Sequence, residues 1–221
     1  SVVDKIIPLQ SEASTFSRNA MSALEIACVV AAYLLGSVSF AVIVSKGFGL
    51  DDPRTYGSKN PGATNVLRSG RKIAAVLTLL GDALKGVLAV WLARLIDPSQ
   101  MSSLGIAAVA VAVVVGHMWP VFFRFVGGKG VATAAGVLFV LQPLLGLFTL
   151  LVWLGTVLAT RISSTGALAA GVAAPIFAWW LMPDMPSRLA VLIISLLLIS
   201  RHHQNIAGLI KGTEGRMGKK A

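Results

Sequence analysis

The chain has 221 residues, of which 56% are hydrophobic and only 13% charged, and its mean hydropathy is +0.81. Soluble domains carry about 25% charged residues, so this composition excludes one and indicates a polytopic membrane protein. Nineteen Lys and Arg against nine Asp and Glu give +10, an excess that in such a chain belongs to loops beside anionic lipid or an anionic substrate rather than to nucleic acid.

In chain order, Ser1 to Ala20 are polar and lack the apolar core of a signal peptide. They are predicted to be an extension outside the fold, leaving 21–221 as a single integral membrane domain. Seven spans follow, in an all-α bundle: Leu24 to Ser45, Ile73 to Leu95, Leu104 to Phe123, Val131 to Leu141, Leu144 to Ala159, Ala167 to Leu181 and Leu189 to Ser200. A crossing of about 30 Å needs about 20 residues, so the fourth and seventh are short, and five complete spans is the competing count. With the amino end outside and the carboxyl end cytoplasmic, the inside segments are Lys46 to Lys72, Arg124 to Gly130, Arg161 to Gly166 and Arg201 to Ala221. They hold fourteen of the nineteen Lys and Arg, whereas the outside joints hold one, Arg188. The single cysteine, Cys28, allows no intramolecular disulfide and reads as packing.

Inside the second span, Asp82 and Lys85 stand at i and i+3 and share a helical face. Burying either alone is costly, so they are predicted to pair. His117 in GHMWP and the five Trp read as structural or interfacial.

The predicted cytoplasmic segments carry the polar chemistry. Leu50 to Lys72, LDDPRTYGSKNPGATNVLRSGRK, is a turn-forming stretch in which Ser58, Asn60, Thr64, Asn65 and Arg68 offer donors suited to phosphate oxygens. In VGGKGVATAAG, the glycines Gly127, Gly128 and Gly130 precede a helix, with Lys129 as a point charge and Thr133 near the helix start, a composition that suits an anion. It is not a nucleotide P-loop, because the residues at 123 and 130 are Phe and Gly. RISSTG brings Ser163 and Ser164 to a membrane boundary, where helix capping competes with phosphate contact; Ser164 is taken as the phosphate-facing one, with Ser163 the alternative. The final segment has His202 and Asn205 just after the last apolar run, and Glu214 is its only acid. No G-x-S-x-G elbow and no His followed five residues later by Asp are present, so a transfer reaction is expected to be direct. No carboxylate cluster suggests a metal, and no cofactor is implied.

Taken together these segments resemble the bacterial acyl-phosphate:glycerol-3-phosphate acyltransferase family, PlsY. The resemblance rests on GSVSF at Gly36 to Phe40, GSKNPGATNVLR at Gly57 to Arg68, GDALKG at Gly81 to Gly86, GHMWP at Gly116 to Pro120, GGKGVAT at Gly127 to Thr133, and the terminal HHQNI and KGTE elements. It covers essentially the whole chain from Met21. It implies a seven-helix enzyme of the bacterial inner membrane, active on the cytoplasmic side, that makes lysophosphatidic acid in phospholipid synthesis by moving an acyl group from acyl phosphate to the 1-hydroxyl of glycerol 3-phosphate. By position, Ser58 and Arg68 match the first motif, Lys129 and its glycines the phosphate-binding second, and His202 and Asn205 the third, with Glu214 as structural support. Ser39 stands where Pro is expected, and His203 and Gln204 where Arg and Glu are common. Membrane lipids, and functional coupling to an enzyme that forms acyl phosphate, complete the implied partners.

Acyl phosphate is a mixed anhydride with an activated carbonyl, so the protein has to hold two phosphates and orient a hydroxyl. Arg68, Lys129, Ser58 and the amides of Gly127 to Gly130 are the expected phosphate ligands, and His202 and Asn205 the groups that orient the hydroxyl. The competing class is a transporter of a phosphorylated small molecule. It needs a polar path to the outside, and the external joints are short and poor in polar residues.

Overall fold

The computed structural model describes residues 21–216, and every regular element among them is helical. The predicted extension at residues 1–20 lies outside the described residues. Ten α-helices run in order: α1 Ala23–Gly36, α2 Phe40–Gly47, α3 Ala63–Leu67, α4 Lys72–Arg94, α5 Ser103–Met118, α6 Val131–Leu141, α7 Pro143–Thr160, α8 Ser163–Leu181, α9 Met185–Arg201 and α10 His203–Ile210. Five spans are long and apolar enough to cross a membrane, α1 with α2 counting as one. The pair α9 and α10, bent by 56°, makes a sixth if it is taken together. The short α6 has the predicted bounds, and its eleven residues rise only about 16 Å, half a bilayer core.

The first predicted span is broken at Ser37 to Ser39. Its physical cause lies on α4, where the Lys85 ammonium, 1% exposed, donates to the Val38 carbonyl at 2.8 Å. A carbonyl freed from helical pairing thus finds a buried cation. The Lys85 ammonium also lies 2.9 Å from Asp82 Oδ1, and His117 Nδ1 lies 3.4 Å from the same oxygen. Neither approach has the angles of a hydrogen bond, so Coulomb attraction holds the Asp82–Lys85 pair, and the His117 ring packs against it. The predicted Asp82–Lys85 pair is therefore present, and His117 joins it.

This charged knot ties α2, α4, α5 and α6 together, because Thr133 on α6 donates its hydroxyl to the Asp82 carbonyl at 2.9 Å. Close packing makes the contact: a Cβ at Gly86 would stand 2.3 Å from the Thr133 carbonyl, and one at Gly136 2.1 Å from that of Ala83. Small residues at such crossings let helix backbones touch where lipid offers no hydrophobic drive. At the other end of α6, the Arg94 guanidinium donates to the carbonyls of Val140 and Leu141, satisfying a helix end that would otherwise be orphaned inside the bundle. α6 is followed closely by α7, whose first residue is Pro143, a residue suited to a helix start. These contacts fix the start of α6, with the glycine loop before it, at the same end of the bundle as the α2–α4 loop, the α7–α8 turn and α10.

Replacing Lys85 with Met strands the Asp82 carboxylate and the Val38 carbonyl. Thermal unfolding of the purified variant in detergent should show a loss of about 3–5 kcal/mol. Adding Asp82→Leu should restore part of it, so that the double variant is more stable than Lys85→Met alone.

Candidate active site

At that end a cavity of about 1800 Å³ opens between the loops and continues down between α6, α7, α8 and α9. Its mouth is polar, with Ser58, Arg68, Lys129, Ser164, His202 and Asn205 on its walls, and below them the lining turns to residues such as Leu138, Ala167, Gly171 and Leu198.

The first loop is shaped by Asn65, which is 2% exposed. Its carbonyl accepts from the Ser58 amide at 3.0 Å, and its amide donates to the carbonyls of Pro53 at 2.7 Å and Tyr56 at 3.1 Å. Asn65, one of the predicted phosphate donors, is thus spent folding the loop that carries Ser58. Gly57 has φ +56°, and a Cβ there would collide with the Asn65 Oδ1 atom and crowd Arg68 Nη1 at 3.3 Å, so this glycine makes room for both side chains. Thr64 and Ser163 hydroxyls meet at 3.3 Å and join this loop to α8.

The glycine loop divides into a wall and a face. The Gly128 amide donates to the His117 carbonyl at 3.1 Å, and the Arg201 guanidinium donates to the carbonyls of Gly127 at 3.0 Å and Gly128 at 3.3 Å. Gly127 and Gly128 are accordingly held against the protein away from the cavity lining, and the Gly128 amide, expected to meet phosphate, is spent on the His117 carbonyl. Lys129 and Gly130 face the cavity. Gly130 has φ +85° and caps α6, whose unpaired first amides are favourably placed for an anion. Thr133 is fully buried and its hydroxyl is committed to Asp82, so it backs the helix instead of meeting a phosphate.

Glu214 gathers the remaining groups. Its Oε1 accepts from Ser164 Oγ at 2.7 Å and from Asn205 Nδ2 at 2.6 Å, while Asn205 Oδ1 accepts from Lys129 Nζ. Of the two candidate serines it is Ser164, 7% exposed, that makes this contact. Burial pushes the Lys129 ammonium below its usual pKa, and the nearby cations Arg201 and Arg68 push the same way, against the pull of Glu214. Release from water leaves this ammonium dependent on an anionic partner.

His202 sits in the break between α9 and α10, 3% exposed. Its Nδ1 lies 2.8 Å from the Leu198 carbonyl, which can only accept, so Nδ1 carries the hydrogen and Nε2 keeps its lone pair. Desolvation pulls its pKa down to about 4, outweighing the opposing Leu198 carbonyl.

Sequence reasoning missed Arg201, counted there only as a topological charge, and missed the burial of His117 against Asp82. The position of Arg201 beside HHQNI was the available signal for the first. The glycines show in the sequence, but their carbonyl partner lies 73 residues away.

A helical bundle apolar enough to span a membrane, with a cation-lined mouth above an apolar corridor, suits a substrate with an anionic head and an apolar tail. Residues 26–212 match the family described as glycerol-3-phosphate acyltransferase. Among relatives of that name, the one from Neisseria meningitidis serogroup C / serotype 2a is 58% identical over 196 residues, covering 88% of this chain and 98% of its own. The one from Laribacter hongkongensis is 57% identical, covering 88% and 97%. The crystal structure of PlsY, an integral membrane glycerol 3-phosphate acyltransferase, is similar in its glycerol 3-phosphate form, with a TM-score of 0.82 and 40% identity over 88% of this chain and 96% of that one. Its lysophosphatidic acid form gives 0.81 and 39%, over 88% and 95%. The chain belongs to the glycerol-3-phosphate acyltransferase family, and it is an integral membrane acyltransferase of the PlsY fold.

With His202 neutral above about pH 4, a role that needs its lone pair is available throughout the neutral range. The His202 ring should therefore show no protonation from about pH 8 down to about pH 5, read from its imidazole NMR shifts with His202→Gln used to assign the signal. A titration centred near the ordinary histidine value would contradict the buried neutral ring.

Proposed function

We propose that the protein transfers a fatty acyl group from acyl phosphate to the 1-hydroxyl of glycerol 3-phosphate, releasing phosphate and lysophosphatidic acid without an acyl-enzyme. The observation that carries this reading is the two-part cavity, which suits a tailed donor whose phosphate must meet a water-soluble phosphate at the membrane boundary. Two anions brought together repel, and Arg68, Lys129 and the first amides of α6 offset that repulsion in a site that excludes water. Ser58 adds a neutral donor beside Arg68.

The neutral His202 offers Nε2 to the glycerol hydroxyl, and Asn205 shares the task of orienting it once its amide is drawn into substrate contacts. Attack forms the ester bond while the bond from the carbonyl carbon to the phosphate oxygen breaks. Phosphate leaves with the electron pair, and the hydroxyl proton goes to His202 or to a phosphate oxygen. Among the described residues no Ser or Cys side chain is hydrogen-bonded to a His side chain, which favours direct transfer over a serine or cysteine nucleophile. Ser164 and Glu214 support the mouth, and Asp82 and Lys85 the start of α6.

The positive residues favour an amino end outside, seven crossings with α6 as a partial one, and a site on the cytoplasmic face of the bacterial inner membrane. Acyl phosphate is hydrolytically labile, so functional coupling to an acyl-phosphate-forming enzyme follows from the chemistry.

Purified protein given glycerol 3-phosphate and, in turn, acyl phosphate, acyl-CoA and acyl carrier protein tests the donor. Phosphate and lysophosphatidic acid should appear in equal amounts with acyl phosphate alone. Turnover with only the thioester donors would contradict the reading, as would uptake of glycerol 3-phosphate into vesicles with no product.

A further inference from the structure

Helix α8 starts beside Ser164 at the mouth and rises about 28 Å over its 19 residues. At its far end a groove of about 300 Å³ runs between α8 and α9 on the outside of the bundle, lined by Pro175, Ile176, Trp179, Arg188, Leu189 and Leu192. Ile176, Trp179, Leu189 and Leu192 are all exposed. Apolar exposure is ordinary on helices that face lipid. A cation among these residues is not, because it costs free energy there unless something answers its charge.

The Arg188 guanidinium is held but not neutralised. Its Nε donates to the Met182 carbonyl at 2.7 Å, and its central carbon lies 4.9 Å from the centre of the Trp179 ring. Among the described residues no carboxylate forms an ion pair with Arg188, and no hydrogen bond uses its Nη1 or Nη2. Asp184, the nearest acid in sequence, is engaged in capping α9, where it accepts from the Ser187 amide at 2.9 Å. Arg94 makes the contrast, since both of its terminal nitrogens donate to carbonyls of α6. A fixed guanidinium with its fork free matches the paired oxygens of a phosphate.

Depth identifies what carries that phosphate. Arg188 stands about one turn inside the joint of residues 182–184, at the level where helices meet lipid headgroups. From it the groove continues one further turn, about 6 Å, to Leu192 on α9, and from Trp179 by the same distance to Pro175 on α8. A cation at headgroup depth above an apolar slot complements an anionic head joined to an acyl chain. A second copy of the chain on this face would add another Arg188 with no free carboxylate to meet either one. A zwitterionic head would bring its own cation beside the guanidinium.

We propose that this groove binds an anionic phospholipid, with the phosphate on the Arg188 guanidinium and the first part of one acyl chain along Ile176, Leu189 and Leu192. The site lies at the opposite end of the bundle from the mouth and does not depend on the acyl-transfer reading.

The test titrates phosphatidylglycerol or phosphatidylcholine, carrying the same brominated chains, into the purified protein in nonionic detergent. Bromine quenches tryptophan on contact, and the fluorescence that Trp179→Phe removes isolates the groove from the other four tryptophans. In the wild type, half-quenching should need about five-fold less phosphatidylglycerol than phosphatidylcholine. Arg188→Gln should bring the two lipids together, Arg188→Lys should keep part of the preference, and Ile176→Phe, which narrows the slot, should weaken both. Acyl transfer by Arg188→Gln should stay within about two-fold of wild type, which shows that the variant is folded. Equal quenching by the two lipids in the wild type overturns the proposal, as does an undiminished preference in Arg188→Gln. Protection of Trp179 from both lipids in a protein that sediments as a dimer would assign the face to a second copy instead.

Discussion

Among the described residues, Glu214 is the carboxylate that ties the groups of the cavity mouth together. Its carboxylate takes a hydrogen bond from Ser164 on α8 and another from Asn205 on α10, and through Asn205 it reaches Lys129 on the glycine loop. Arg68 also comes close, since a Cβ at the neighbouring Gly215 would lie 3.5 Å from its Nη2. Three cationic side chains, Arg68, Lys129 and Arg201, crowd one small volume, and Lys129 is partly stripped of water. Without a substrate phosphate, a carboxylate at their centre is what keeps like charges from driving the loops apart. The mouth is thus built for anions and holds one of its own.

The rigidity behind that mouth comes from inside the membrane. The Asp82–Lys85 pair, with His117 packed against it, is costly to desolvate and is tolerable only because each of the two charges finds a partner. Once formed, it fixes the break between α1 and α2, the depth of α4 and, through Thr133, the position at which α6 begins. A short helix with its first amides in a polar cavity and its last carbonyls satisfied by Arg94 can end within the bilayer without leaving backbone groups unpaired. Arg201 then holds the preceding glycines by their carbonyls, so that Lys129 and Gly130 alone turn to the cavity.

Much of this was legible in the sequence, and the omissions have a common physical origin. The bounds of α6 were readable because glycines precede it and Gln142-Pro143 follow. The Asp82–Lys85 pair followed from helical spacing and the cost of an unpaired buried charge. The break at Ser37 to Ser39 was not readable, because a lysine from another helix creates it. The short α3 was not anticipated, since its five residues carry no periodic signal. Ser58, Arg68, Lys129, Ser164, His202, Asn205 and Glu214 do converge, yet Gly127, Gly128 and Thr133 face protein instead of cavity, and Asn65 lines the cavity with its side-chain amide already engaged in the loop. Local composition identifies groups able to meet phosphate, and only the tertiary fold decides which of them are already spent.

The role of Glu214 is tested most directly by calorimetric titration of glycerol 3-phosphate into the purified protein, compared with Glu214→Ala. The expected result is saturable binding that weakens at least about ten-fold in the variant, equivalent to about 1.4 kcal/mol, with helical content unchanged. Binding of the same affinity in Glu214→Ala would contradict the view that this carboxylate organises the mouth.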